Sequence, residues 1–135
     1  MLTNSDLTLF NRYVVNGNEQ YQRTQVPGIV WQNTKAVNVI KSGLIDSDSV
    51  TVFIPYARGT NYLTPVNWEK TDAKIKYWTL QPGDILVEGL VDDNIGTAFG
   101  IGDLKKKYDN VVRITTVDFM KSGSRSLWHW RVGAK

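Results

Sequence analysis

The chain has 135 residues, of which 41% are hydrophobic and 21% charged, and its formal net charge is +3. This length and balance predict one globular domain and exclude an intrinsically disordered chain, and no apolar run approaches the roughly 18 residues that suggest a membrane-spanning helix. The absence of cysteine excludes disulfides, iron–sulfur clusters, thiolate zinc sites and cysteine nucleophiles.

The N-terminal third of the sequence is rich in the residues and patterns of β-strands. Residues 7–15 and 21–26 form two such stretches, with Asn16-Gly17-Asn18 between them. Asn-Gly favours the positive φ angles of a tight hairpin turn, so this region predicts a β-hairpin. Residues 28–39 continue in the same style and predict a further strand or a bent pair of strands.

Residues 46–49, Asp-Ser-Asp-Ser, begin like a calcium-binding loop. Such a loop needs an oxygen ligand at the next position and then a glycine, because the chain must turn sharply around the ion. Val50 stands where the ligand is needed and no glycine follows it. The stretch therefore predicts a turn and no metal site.

Three further β-rich stretches follow, at residues 50–56, 84–91 and 111–119. The first alternates strictly, and the residues that share one of its faces are Val50, Val52, Ile54 and Tyr56. The second is preceded by Pro82-Gly83, which suits a type II turn because glycine supplies the positive φ angle. These stretches predict a mainly β fold, a small β-barrel or sandwich formed by a single domain over residues 1–135.

After a glycine-containing turn at residues 121–124, the chain closes on a second hairpin strand. Alternation places Trp128, Trp130 and Val132 on one face of this strand and Leu127, His129 and Arg131 on the other. We expect both tryptophans to point into the core and His129, the single histidine, to lie on the more polar face. A catalytic base needs partners within hydrogen-bond reach, and none is visible around His129, so a structural histidine is the favoured interpretation.

One short helix is predicted at residues 103–108, because Asp103 suits an N-cap and the lysines that follow suit the negative end of the helix dipole. Two long irregular segments, residues 56–74 and 91–102, are the candidate binding loops, since long ordered loops often carry function.

The sequence offers little that supports catalysis or cofactor binding. Gly100-Ile101-Gly102 lacks the third glycine and the βαβ context of a dinucleotide fingerprint. Asp92 and Asp93 are adjacent, and adjacent side chains of an extended chain point apart, which disfavours a pair with a shared proton. We therefore expect no enzyme activity, no cofactor and no metal site.

Charge is distributed unevenly along the chain. Residues 104–135 hold eight basic residues and two acidic ones, a net +6, whereas the first 103 residues carry a net −3. Such asymmetry is typical of a nucleic-acid or acidic-partner surface, or of an ordinary lysine-rich solvated face, which is favoured here.

Aromatic and basic residues also alternate between positions 58 and 78. This set consists of Arg58, Tyr62, Trp68, Lys70, Lys74, Lys76, Tyr77 and Trp78. On a barrel it would form a stacking groove for single-stranded nucleic acid. The alternative, which we favour, is that the aromatic rings are core residues and the lysines face solvent.

Several segments resemble a known group of proteins. They are LTLFNRY, VPGIVWQN, TVFIPY, TLQPGDILVEG, DLKKKY and LWHWRVGAK. The most specific are residues 80–89 and the terminal Trp-His-Trp-x-Val-Gly, and together the segments span nearly the whole chain. In this order the chain resembles a family of small structural proteins of tailed phages and prophages of Gram-positive bacteria.

The resemblance implies a virion protein of the head–tail junction, a subunit of a head-closure or connector ring. It implies a homo-oligomeric ring of about six or twelve copies, with portal or adaptor proteins and tail proteins as partners, non-specific contact with packaged double-stranded DNA, and no membrane. The protein would assemble in the bacterial cytoplasm and remain in the virion. A tail terminator or other tail-completion protein is one alternative, and a β-barrel that binds single-stranded nucleic acid is another.

For such a ring, the partner- or DNA-facing residues are expected first in the loop at 56–74 and then in the lysine run of the helix. The first set is Arg58, Tyr62, Trp68, Lys70 and Lys74. The second set is Lys105, Lys106 and Lys107. Aromatic residues anchor protein interfaces and cations pair with phosphates.

Overall fold

The computed structural model describes residues 2–33 and 50–135, and over these residues the fold is mainly β, as predicted. Six strands close into a barrel in the order β1-β2-β3-β6-β5-β4, and every neighbouring pair is antiparallel. The strands are β1 (Ser5–Val15), β2 (Asn18–Asn33), β3 (Val50–Pro55), β4 (Ile85–Glu88), β5 (Val111–Met120) and β6 (His129–Ala134). The turn expected at residues 46–49 and the second half of the stretch 28–39 lie outside the described residues.

The first predicted hairpin is present, and its turn is the one that Asn-Gly favours. Asn16 and Gly17 both have positive φ angles, 52° and 80°. Residues 28–33 do not form a separate strand but continue β2 past Gly28, whose φ of 73° accompanies a shift of register against β1. Glycine tolerates this backbone without strain, so the strand bends there.

This hairpin is longer than the barrel to which it belongs. Within residues 2–33 and 50–135, β1 pairs with β4 over residues 7–10, and β2 pairs with β3 over residues 30–33. Beyond these ladders the two strands pair with each other as far as the turn. Residues 12–22 therefore extend as a two-stranded ribbon, here called the arm.

The core has two parts that lie on opposite faces of the same strands. Inside the barrel, alternate residues of all six strands pack around Trp31, Trp78 and Trp130. Outside it, Phe10, Ile85, Val87 and Val91 pack under Leu104. Since both faces of β4 are covered, its first three residues, 85–87, are all apolar and buried.

Two α-helices are described, one more than predicted. α2 (Ile101–Lys107) starts two residues before the prediction, with Gly100 as its N-cap, so the assignment of Asp103 as the cap is wrong. The carboxylate of Asp103 instead reaches back one turn and accepts a hydrogen bond of 2.9 Å from the Gly100 backbone N–H. Both helices are too short to cross a membrane.

The additional helix, α1 (Pro65–Lys70), lies inside the segment 56–74 that was expected to be irregular. Thr64 caps it, its hydroxyl oxygen accepting from the Asn67 N–H at 3.4 Å, and proline occupies the first turn. Only one side chain of the helix, Trp68, is buried. Val66, the other large apolar residue of the helix, is 63% exposed, so the sequence shows no helical periodicity to detect.

The closing strand follows the predicted alternation, with one correction. Trp130 and Val132 are buried inside the barrel, and His129 lies on the other face with its ring edge-on to Phe53, 5.5 Å away. Trp128, however, precedes β6 and is only half-buried, because a short 3-10 turn at Arg125–Leu127 delays the strand. The prediction that Trp128 points into the core is therefore wrong, and this residue lies at the rim of the barrel.

Candidate functional site

The aromatic residues predicted for the binding loop are held by the core. Trp68 and Trp78 are 1% and 4% exposed, and Tyr62 packs on Trp78 and Trp130 with ring centroids 5.3 and 4.7 Å away. Trp68 and Trp78 therefore have no free face for a ligand, which agrees with the favoured interpretation of this segment.

The cations of that loop are divided between different environments. Lys74 lies over the rings of Tyr13 and Trp68, at 5.8 and 5.4 Å, and donates to the Thr71 carbonyl. Lys70 is exposed at the end of α1, and Arg58 is exposed on the far side of the loop. The structure thus brings Lys70 and Lys74 into the lining of one cleft beside the arm, together with Trp68, and leaves Arg58 outside it.

The lysine run of α2 is mostly a solvated face. Lys105 and Lys106 are exposed, whereas Lys107 forms an ion pair of 2.9 Å with Asp93. Hydrogen bonds from Tyr108 and from Lys107 lower the pKa of Asp93. The neighbouring Asp92 accepts from Gln25 instead, so the two adjacent carboxylates have separate partners.

A different aromatic group is exposed at one end of the barrel. Tyr56, Phe119 and Trp128, here called the rim cluster, have ring centroids 5.4 to 6.0 Å apart. Each of the three lies two residues along the chain from an inward-facing residue, or directly opposite one on the neighbouring strand. The rings of Tyr56 and Phe119 also pack on buried Trp130, with ring centroids 5.9 and 5.2 Å away. The cluster therefore extends the inner layer of the barrel past the ends of its strands.

A groove runs beside the rim cluster and has a volume of about 550 Å³. The groove is here called the rim groove. The residues that line it are Thr3, Pro55, Tyr56, Ala57, Arg58, Arg125 and Ser126. Two further contacts supply charge, because Lys121 and Arg125 lie over the ring of Trp128 at 5.1 and 5.2 Å. Cations over an indole face are held in place by its negative quadrupole.

The sequence around this groove is free of acidic residues. Neither the segment 50–68 nor the segment 119–135 contains aspartate or glutamate. These segments belong to β3 and β6, which pair with each other, so the two acid-free stretches meet in space. Sequence reasoning noted the positive C-terminal part but missed the groove, because the residues that line it come from three distant places, positions 3, 55–58 and 125–126.

A buried polar network lies beneath the turn that precedes β4. Asp84 is 1% exposed and accepts hydrogen bonds from the Asn11 side-chain amide at 2.7 Å and from the Arg12 backbone N–H at 2.9 Å. Burial raises the pKa of Asp84 to about 6, against the opposing effect of these hydrogen bonds. Since Asn11 also pairs with the backbone of Thr79 through both amide atoms, the network joins β1 to the chain before β4.

His129 has structural contacts. Its Nδ1 atom lies 3.0 Å from the Leu127 carbonyl oxygen, and its ring is edge-on to Phe53. Within residues 2–33 and 50–135, no group of three or more His, Asp or Glu residues is placed to hold a metal ion.

We expect His129→Ala to lower the free energy of unfolding by about 1 kcal/mol, the typical contribution of an aromatic pair. Assembly, or any other activity of the protein, should remain largely intact. Urea denaturation checks the first result and an assembly assay checks the second. A hydrolase or nuclease activity abolished by this single change would contradict the expectation, drawn from the sequence, of no enzyme activity.

Comparison with known protein families finds a match over nearly the whole chain. A protein-family model with the description "Family of unknown function (DUF6751)" matches residues 2–135. The match covers every strand and helix described above. No curated protein and no solved structure matches the chain.

Proposed function

Because the chain belongs to the DUF6751 family, whose function is unknown, we propose a function from its own residues, that of a ring subunit at the head–tail junction of a tailed phage. The proposed type is a head-closure or connector protein. The resemblance of its segments to small phage structural proteins supports this role, as does a closed barrel, the kind of rigid unit from which a ring can be built.

The observation that carries the proposal is the arm. Among the described residues, the strands of the arm form a ladder only with each other. At the base of the arm the Arg12 N–H donates to Asp84 and the Arg12 C=O accepts from Gln81, and the edges beyond Arg12 offer backbone groups for pairing. Beside its polar turn the arm carries two exposed apolar side chains, since Val14 is 56% and Val15 46% exposed. Isolated proteins usually protect such edges, and a projecting ribbon with exposed apolar side chains suits contact with a neighbouring subunit.

A ring requires this kind of contact. Head-to-tail association uses two different surfaces of each subunit, and a repeated rotation then closes the ring. The arm of one subunit can contact the barrel of the next subunit, and the arm of that second subunit takes no part in the same contact. The partner surface on the neighbour would be a part of the barrel outside the arm.

The test is assembly of particles with a changed arm. The double substitution Val14→Ser, Val15→Ser removes the two exposed apolar side chains but keeps the turn and its glycine. In the phage that encodes the chain, we expect DNA-filled heads that leak or fail to join tails, seen by electron microscopy. Leu90→Ser is the matched control, because Leu90 is 51% exposed and lies outside the arm.

Substitution of exposed residues tests the proposed role more cleanly than deletion of part of the segment 56–74. Deletion of residues 59–64 would take Tyr62 out of the core, and misfolding would then imitate loss of function. Normal infectious virions from a phage that lacks the gene would contradict the proposed role. Isolated subunits are expected to be monomeric when the ring forms only on its neighbour in the virion.

A further inference from the structure

The rim groove combines an exposed aromatic ring with cations and lacks acidic residues in the segments that build it. From this combination we infer that the groove binds single-stranded nucleic acid, with a base against Tyr56 and phosphates at Arg58 and Arg125. The inference does not depend on the proposed ring, since it concerns one subunit and a different surface from the arm.

Tyr56 is the stacking residue. It is 36% exposed, and the rings of Trp130, Phe119 and Trp128 support it at 5.9, 5.8 and 5.4 Å. A ring that is already fixed by its neighbours loses little conformational freedom when a base packs on it. Phe119, at 41% exposure, offers a second ring beside it.

The cations have partners within the chain before any ligand binds. Arg58 donates from Nε to the Gly28 carbonyl, and its guanidinium packs so closely on Gly28 that a Cβ at this position would collide with it. On the other side, Trp128 holds Lys121 and Arg125 over its ring. Trp128 is therefore a positioning residue, because these cations cover its ring and leave stacking to Tyr56.

The surrounding charge favours a polyanion. Two of the carboxylates beside these segments, Asp6 and Asp118, are bonded or directed elsewhere. Asp6 accepts a hydrogen bond from the Gly28 backbone N–H, and Asp118 lies opposite Arg131 on the outward face of the sheet, whereas the neighbouring Phe119 lies opposite Trp130. Within the part of the chain that the structure describes, the groove's lining holds Arg58 and Arg125 and no carboxylate, and Lys121 adds a further cation over the ring of Trp128.

The exposed ring selects among nucleic acids. Bases of a duplex are stacked on each other and their faces cannot reach Tyr56, whereas those of a single strand can. Stacking also tolerates any sequence, because every base has a π-face. We therefore expect a preference for single strands over duplexes and little dependence on sequence.

Binding is measured by fluorescence anisotropy with a labelled oligothymidylate of about 16 nucleotides, at about 50 and 200 mM salt. Lys121→Glu with Arg125→Glu should weaken binding at least about tenfold and reduce the slope of log affinity against log salt by about 1.4, near 0.7 for each lost cation. Lys105→Glu with Lys106→Glu changes net charge equally on α2, away from the groove, and should weaken binding less than about threefold.

Stacking is tested separately from charge. Tyr56→Ala should weaken binding about tenfold with an unchanged salt slope, and Tyr56→Phe should retain most of the affinity because it keeps the ring. Circular dichroism checks that each variant is folded. Loss in Tyr56→Phe equal to that in Tyr56→Ala would overturn the stacking role.

Three results would overturn the inference as a whole. They are no binding by the wild-type chain at about 50 mM salt, equal losses in the groove and α2 charge reversals, and tighter binding of a duplex than of the single strand. Polyglutamate of matched charge is the competitor, and displacement as effective as that by unlabelled oligothymidylate would assign the groove to acidic chains in general. None of these outcomes bears on the arm variants, so the ring proposal stands or falls separately.

Discussion

Trp130→Ala is expected to lower the free energy of unfolding by about 3–5 kcal/mol, the usual cost of removing a large aromatic side chain from a core. Trp130 is 4% exposed and is the meeting point of the barrel interior and the rim cluster. Its ring contacts Tyr62 at 4.7 Å, Phe119 at 5.2 Å and Trp78 at 5.8 Å. Truncation leaves a cavity that these rings cannot fill, because each is held by other contacts.

The measurement is urea denaturation followed by far-UV circular dichroism, and Trp128→Ala is the matched control. The same residue type lies two positions earlier on the same side of the chain, but Trp128 is only half-buried and leaves no enclosed cavity when truncated. We expect it to lose less than half as much stability as Trp130→Ala. Equal losses in the two variants would mean that the rim is as tightly packed as the interior.

The alternation that predicts Trp130 also predicts most of the barrel. Strand positions, the Asn16-Gly17 turn and the inward faces of β3 and β6 follow from period-two patterns, because one face of each strand must be buried. Period-two alternation alone does not distinguish a barrel from a sandwich. The choice depends on the pairing of β1 with β4, which joins residues about 80 positions apart.

The rim groove was not predictable in the same way. Tyr56 looks like a core residue by alternation from Val50, and only the end of β3 at Pro55 brings it to the surface. Trp128 looks buried for the same reason, and a 3-10 turn moves it to the rim. Conversely, Trp68 sits in a polar stretch and yet is buried. Strand ends and loop packing decide these exposures, and local periodicity carries no information about either.

Asp84 lies in TLQPGDILVEG, one of the segments that resemble small phage structural proteins. The hydrogen bonds of its carboxylate explain what this residue does in the fold. The carboxylate Oδ1 atom accepts from the Arg12 N–H, and Oδ2 accepts from the Asn11 amide. Asn11 cannot reverse its amide, since its oxygen accepts from the Thr79 N–H and its nitrogen donates to the Thr79 carbonyl. Asp84→Asn therefore places an NH2 group against a donor in either orientation. We expect it to cost about 1–3 kcal/mol at pH 7.

The difference in free energy of unfolding between wild type and Asp84→Asn should also depend on pH, and the pKa of Asp84 fixes the direction of the change. The pKa of Asp84 rises from 3.8 to about 6 because burial disfavours the charged form. Between these values the folded state keeps a proton that the unfolded state has lost, so the stabilisation is complete below about pH 4 and is lost as the pH rises through about 6. A shift of this size corresponds to about 3 kcal/mol.

Urea denaturation of both proteins between about pH 4 and pH 7.5 measures this difference, and the asparagine variant removes the other titrating groups from the comparison. The stability advantage of wild type should be about 3 kcal/mol larger at the acidic end than at the neutral end. The hydrogen bonds from Asn11 and Arg12 act in the opposite direction, because they favour the charged carboxylate. An advantage that instead grows with rising pH would show that these hydrogen bonds outweigh burial, and that Asp84 is held in the barrel as a stabilised carboxylate.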